Sequence, residues 1–246
     1  MGPKSALTDF YGRKDTTSQR ISQTIWQKNM HKLIFVPYKS LNISDIIFDL
    51  GGVVLDIDYR LTLQAFAQLG VKNLEEIYTL TAQREVVSQF ERGQIDAHTF
   101  IDELKPLLRI DLDYKKAVDA WNAMILAWSP QRMTLVERLR KHYGLHLLSN
   151  TNTLHRDLFE RTLQQTTGHT MAHYFHHVGY SFEMGARKPE PEIFRAMLRW
   201  AQIDPSRTLF IDDNASNVEA ARAEGIVAYR IDPSHERIDD LFVVEE

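Results

Sequence analysis

Four short strings hold the side chains able to do phosphate chemistry: Asp49, Ser149-Asn150, Lys188 and Asp212-Asp213. Asp49 closes the apolar run Asp45-Ile46-Ile47-Phe48 and is followed at once by Leu50-Gly51-Gly52-Val53-Val54. A carboxylate can attack phosphorus and form an aspartyl-phosphate. Carboxylate and phosphate repel, so a hard cation has to stand between them. Mg²⁺ suits that role, because it prefers oxygen ligands and binds through one or two carboxylates plus phosphate. Asp49 and Asp213 are the expected ligand pair, with the Gly51 carbonyl as a third protein oxygen and Asp212 holding a metal-bound water. Ser149 offers a hydroxyl, and Asn150 an amide, to non-bridging phosphate oxygens. Lys188 offers a compact charge that would pair both the phosphoryl group and Asp49. Gly51 and Gly52 let the backbone come close to the ligand. Taken singly these residues are ordinary, since strand-end Asp and Ser are commonly turn residues. Taken together and in order, they read as a phosphate-and-metal site.

The elements around them explain how such a site would assemble. Ile46-Ile47-Phe48, Leu145-His146-Leu147-Leu148, His177-Val178-Gly179-Tyr180, Thr208-Leu209-Phe210-Ile211 and Ile226-Val227-Ala228-Tyr229 read as short buried strands. Three of the four strings stand at the tips of these strands. Helices fill the gaps. Ser129-Pro130 supplies an N-cap and a proline at the first helical position, for a helix expected over 130–143. Further helices are expected over about 191–201 and from about 214 to Gly225. Strand-helix alternation of this kind predicts a Rossmann-like α/β core with a parallel sheet, whose ligands bind outside the carboxyl ends of the strands. Residues 59–128 break the alternation. Short amphipathic helices are expected there over about 60–69, 73–80, 84–91, 97–107 and 114–127, with Asp96 and Asp113 as N-caps. The domain reading is therefore a core of residues 41–58 and 129–246 and an inserted α-helical cap of residues 59–128. Such a cap would cover the site, hinged at residues 56–58 and 128–130.

Composition narrows the classes. Net charge is −4 with a pI near 6.2, so no general nucleic-acid footprint is expected. There is no cysteine, which excludes disulfides and thiol catalysis and fits a cytoplasmic protein. No apolar stretch approaches a membrane span. Residues 1–40 are basic and show little periodicity before Leu33-Ile34-Phe35-Val36. They read as a mobile N-terminal extension, without the apolar region of a secretory signal, and Met30 is a second candidate start. Oligomeric state is left open.

Phe48-Asp49-Leu50-Gly51-Gly52-Val53-Val54, Leu148-Ser149-Asn150-Thr151-Asn152, Gly185-Ala186-Arg187-Lys188-Pro189 and Phe210-Ile211-Asp212-Asp213-Asn214 resemble the four motifs of the haloacid dehalogenase superfamily, across residues 45 to about 235. Within it the chain is similar to small sugar-phosphate phosphatases of the α-D-glucose-1-phosphate phosphatase type. The resemblance implies that Asp49 is the nucleophile, that Asp49, the Gly51 carbonyl and Asp213 ligate Mg²⁺, and that Ser149 and Lys188 hold the transferring phosphoryl group.

One position departs from that pattern. The family's first motif has a second aspartate two residues after the nucleophile, as acid and base, and here it is Gly51. A positioned acid or base is typically worth about 10²–10⁴-fold. A good leaving group would need little help, or another residue would supply the proton. Glu91, in Phe90-Glu91-Arg92-Gly93, is one candidate; the plainer reading of it is a solvated helix-end pair with Arg92. A two-component receiver domain would carry its acidic pair early in the chain, and here the pair comes last. Neither G-x-G-x-x-G nor G-x-x-x-x-G-K-[ST] occurs, which argues against a nucleotide-binding fold. A dehalogenase acting on carbon would need no Mg²⁺ and would carry a bulkier residue at position 51. His173, His176 and His177 suggest zinc, but no carboxylate follows at ligand spacing, and a structural role is preferred. The expectation is a Mg²⁺-dependent phosphomonoester hydrolase acting on a small phosphorylated metabolite. Its rival is a catalytically weak protein that binds phosphorylated ligands on the same scaffold.

Overall fold

The computed structural model describes residues 33–35, 41–72 and 85–244. The helix expected over 73–80, and most of the segment read as an extension, lie outside these residues. Five strands, β2 (Asp45–Phe48), β3 (Gly144–Ser149), β4 (His177–Tyr180), β5 (Thr208–Asp212) and β6 (Val227–Arg230), make one parallel sheet in the order β4-β3-β2-β5-β6. Both faces are buried, which is why the strands read as continuous apolar runs. Ile46, Phe48, Leu145, Leu147, Leu209 and Ile211 belong to one core, and Ile47, Leu148 and Phe210, which alternate with them, to another. Helices α5 (Pro130–Leu139), α6 (Thr153–Thr167), α9 (Pro191–Ala201) and α10 (Ala215–Ala223) connect successive strands, with short turns of helix at α7 (Met171–Tyr174), α8 (Ser181–Met184) and α11 (Ile238–Leu241). The chain runs outward from β2 through β3 and β4, then crosses to β5 and β6 on the other side. Asp49 therefore follows the strand at which the order switches, the place where open sheets form a crevice.

Between β2 and β3 the chain builds α1 (Tyr59–Gln68), α2 (Glu85–Glu91), α3 (Ala97–Leu108) and α4 (Tyr114–Asn122). Asp58, Asp96 and Asp113 cap α1, α3 and α4 by accepting a backbone N–H from Arg60, Thr99 and Lys116. These helices share a core of their own, in which Phe90 stacks on Phe100 at 4.3 Å and Phe100 meets Trp121 edge-on at 4.8 Å. The expected helix over 114–127 stops at Asn122, because residues 124–126 pair with the incoming chain instead. Asp58 N–H donates to Met124 O at 2.9 Å, and Leu126 N–H to Asp56 O at 3.1 Å. Asp56 is also held by Arg132 at 3.1 Å and Arg237 at 2.7 Å. The helix after Ser129 likewise stops at Leu139, four residues short, where the chain turns into β3.

Strand β1 (Leu33–Phe35) pairs antiparallel with β7 (Phe242–Val244). Phe35 is buried against Phe242 and Tyr229. The boundary drawn at residue 40 therefore passes beyond a strand that packs on the core. Among the described residues, no helix is long and apolar enough to cross a membrane.

Candidate active site

The floor of the site is set by register. Phe48 lies level with Ile211 and Leu147, so one further residue brings Asp49, Asp212 and the end of β3 to a common height. Asp49 N–H donates to Ile211 O at 2.9 Å and fixes the first residue beyond β2. The loop then turns tightly, with Leu50 O accepting from Val54 and Leu55. Gly52 adopts φ +76, and a Cβ there would stand 2.6 Å from Asp213 Oδ2. Glycine is thus required both by the backbone and by the neighbouring carboxylate. Its N–H is bonded to Leu55 O at 2.9 Å, so Gly52 contributes space rather than the expected ligand contact.

Lys188 is the best-held side chain of the floor. It is 1% exposed, with Nζ 2.7 Å from Asp49 Oδ1 and 2.6 Å from Asp212 Oδ2. Burial works against its ammonium, yet the charges of Asp212 and Asp49 outweigh this and raise its pKa. Asp212 is fully buried and also accepts from Asn217 Nδ2 at 3.1 Å and Asn214 N–H at 2.8 Å. It orients Lys188, so its oxygens are less free for the metal-bound water expected of it. Asn150 departs similarly. Its Nδ2 donates to Lys188 O and its Oδ1 accepts from Lys188 N–H, both at 2.8 Å. The amide expected to touch phosphate instead clamps the backbone of the lysine. Ser149 is buried, and its hydroxyl has only a 3.5 Å contact with Asn150 O, which leaves it available to a ligand.

Asp49, Asp212 and Asp213 each place an oxygen within 4.8 Å of the others, the group of potential metal ligands that converges among the described residues. The crowding shows in their acidity. Burial pushes the Asp49 carboxyl up to about 7; Lys188 opposes the rise, and Asp212 and Asp213 add to it. Asp213 is raised by burial and by Asp212.

Above this floor lies a cavity of about 430 Å³. Asp49, Gly51, Ser149, Asn150, Lys188 and Asp213 line it, whereas Gly52 and Asp212 stand behind it. Its other wall comes from the helical insertion and from α6: Tyr59, Glu91, Trp121 and His155 face the same space. Glu91 does not pair with Arg92. Its Oε2 lies 2.9 Å from Arg187 Nε, while Arg92 binds Glu190 and Ser88. Tyr59, Arg187 and Asn217 are contributors that the sequence reading did not single out. Arg187 was in view, being part of the Gly-Ala-Arg-Lys-Pro string, but without a role.

The histidines split up. His173 faces Glu137, His176 Nδ1 accepts from Leu145 N–H, and His177 meets His146 at 3.2 Å. They do not form one metal site.

A parallel α/β sheet with a strand-tip acidic cluster and a buried lysine defines a class of phosphate-handling hydrolases. The haloacid dehalogenase-like hydrolase model matches residues 45–225, and the chain belongs to that family. It is 29% identical over 202 residues to the D-ribitol-5-phosphate phosphatase of Bacteroides thetaiotaomicron, covering 82% of this chain and 98% of the relative. It is 25% identical over 185 residues to the phosphorylated carbohydrates phosphatase of Thermotoga maritima, covering 74% and 81%. Among solved structures it is similar to a haloacid dehalogenase family enzyme of Bacteroides thetaiotaomicron, an aspartate-to-alanine variant in complex with magnesium and inorganic phosphate. That match has a TM-score of 0.75 and 30% identity, covering 79% of this chain and 96% of the other.

Proposed function

We propose that the protein is a Mg²⁺-dependent phosphatase that hydrolyses a small phosphorylated carbohydrate through an aspartyl-phosphate on Asp49. One observation carries the reading: Asp49, Lys188 and the acidic cluster meet at the strand tips beneath a single cavity. The cavity is of a size that takes a small metabolite, and the relatives act on D-ribitol 5-phosphate and on phosphorylated carbohydrates.

The donors fit a hard cation. They are oxygens only, and three carboxylates share one lysine, so the floor is short of positive charge. Asp49, the Gly51 carbonyl and Asp213 would hold Mg²⁺. When bound, the ion would offset the repulsion between the attacking carboxylate and the phosphate dianion. Asp49 attacks phosphorus with one carboxylate oxygen. Lys188, pinned between Asp49 and Asp212, opposes the rise that burial causes in the Asp49 pKa and balances charge on the phosphoryl group. Ser149 donates its hydroxyl to a phosphoryl oxygen. The helical insertion, acting as a cap, excludes bulk water and holds the carbohydrate part. The substrate is expected to be free in solution, and no membrane or nucleic acid takes part.

The test is a panel of p-nitrophenyl phosphate and sugar and polyol phosphates, with Mg²⁺ and with excess chelator. Turnover that requires Mg²⁺ is expected. Undiminished turnover in chelator would refute the metal assignment, and failure to cleave any phosphomonoester would leave only ligand binding.

A further inference from the structure

We propose that Glu91 carries the proton in both halves of the reaction, in place of the aspartate that position 51 lacks. The inference rests on the phosphatase reading above. Position 51 carries no acid, and a Cβ there would press on Ile57, standing 3.0 Å from its Cδ1. The proton must come from elsewhere, and the cavity offers few sources. Its carboxyls are Asp49, Asp213 and Glu91, and the first two belong to the floor. Tyr59 is half-exposed, and the charges of Asp49, Asp213 and Glu91 disfavour its ionised form, which makes it a poor donor. His155 engages both ring nitrogens, with Asn152 and with Trp121 O. Lys188 is held by two carboxylates.

Glu91 is both positioned and free to act. It ends α2, and that end is fastened to the core segment that carries Lys188. Arg92 binds Glu190, Arg187 Nη1 reaches Ser88 at 3.3 Å, and Gly93, at φ +68, packs so close that a Cβ would lie 2.2 Å from Phe182 O. Glu91 Oε2 is buried, and no hydrogen bond is aligned on it, although Arg187 Nε is close. Burial raises the pKa of Glu91 in spite of Arg187, Lys188 and Arg92. An arriving phosphate dianion pushes in the same direction, toward the protonated form that can donate.

In the first half, an Asp49 oxygen bonds to phosphorus and the bond from phosphorus to the leaving oxygen breaks. The Glu91 proton goes to that oxygen, and the alcohol departs. In the second half, water attacks phosphorus and gives one proton to the Glu91 carboxylate. The bond between phosphorus and Asp49 breaks, inorganic phosphate leaves, and both side chains return to their starting states.

The experiment compares leaving groups in single turnover at fixed Mg²⁺, with p-nitrophenyl phosphate against a polyol phosphate. Glu91→Gln should slow release of the polyol by about 10²–10³-fold and release of p-nitrophenol by less than about tenfold, because only the alkoxide needs the proton. Glu91→Asp should keep most of the parent's polyol rate. Gly51→Asp with Ile57→Ala, added to Glu91→Gln, should restore polyol cleavage at least about tenfold. Equal slowing of both substrates would assign Glu91 a structural role and overturn the proposal, as would an unchanged polyol rate. If the parent cleaves neither substrate, the phosphatase reading itself falls, a result distinct from either of these.

Discussion

On the floor of the cavity, Lys188 is fixed by two carboxylates and by both ends of the Asn150 amide. On the facing wall, Glu91 meets a single guanidinium, and Tyr59 is 54% exposed. The floor stands on parallel strands locked in register, so Asp49, Ser149, Asp212 and Asp213 lie in or next to a rigid ladder, and Lys188 is tied to them by its ion pairs. The facing wall stands on helices that reach the core by way of paired connectors and side-chain contacts. The difference follows from what each must do. Attack on phosphorus needs charges held in place before the substrate arrives. Contacts with the carbohydrate part have to differ from one substrate to another, and a helical insertion changes more readily than a sheet.

If this division is right, variants of the floor should abolish turnover for every substrate. The largest effect is expected from Asp49→Asn, which keeps the shape and removes the attacking charge. Turnover of p-nitrophenyl phosphate should fall by at least about 10⁴-fold with the fold intact by circular dichroism. A folded variant working at near the parent rate would exclude the aspartyl-phosphate route. Next comes the contrast between the two adjacent acids. Asp213→Ala removes the partly exposed carboxylate proposed to hold Mg²⁺ and should cut Mg²⁺-dependent turnover by about 10²–10³-fold at little loss of stability. Asp212→Ala removes a fully buried partner of Lys188 and Asn217. It should cost about 3–5 kcal/mol of folding stability as well as activity. Denaturant midpoints of the two variants decide the matter, and equal midpoints would mean that Asp212 is not the structural member of the pair.

The floor was legible in the sequence because apolar runs place their last residues at one edge of a parallel sheet. Asp49, Ser149 and Asp213 could be brought together without coordinates for that reason, and Lys188 joined them through the ordered motifs of the resemblance rather than through a strand tip. What those residues bond to was less legible. Asn150 was assigned to phosphate by chemical type, but the backbone of Lys188, brought to it across the sheet edge, takes both its donor and its acceptor. Glu91 and Arg92 are chain neighbours, yet adjacent helical residues do not face each other, and each finds its partner on the loop before α9. Asn217 lies in the first turn of α10, and nothing local distinguishes it from a surface asparagine. The β1–β7 pair joins opposite ends of the chain, so no short-range pattern announces it.

The smallest expected effect concerns the junction between the two regions. His155, on α6 of the core, lies against Trp121 of the insertion, with ring centroids 5.3 Å apart and planes 10° from parallel. Its Nε2 faces Trp121 O at 3.2 Å, and a carbonyl only accepts, so Nε2 carries the proton. Its Nδ1 faces Asn152 Nδ2 at 3.2 Å, while Asn152 Oδ1 already caps His155 N–H. A second proton on the ring would set donor against donor. Burial pushes the pKa of His155 down to about 4, against 6.5 for the unfolded residue. Between those values the unfolded chain binds a proton that the folded chain refuses. The contribution of this histidine is therefore complete above pH 6.5 and is lost as pH falls toward 4. At pH 5 the loss is roughly 2 kcal/mol. Burial also lowers His146, in β3 of the core, to about 4, and it should add a similar loss. Urea unfolding at pH 7 and pH 5 should then show the parent losing roughly 2 kcal/mol more stability between the two than His155→Gln does. An unchanged loss in that variant would mean that His155 takes up its proton without disturbing the junction, and that the acid sensitivity belongs to the core alone.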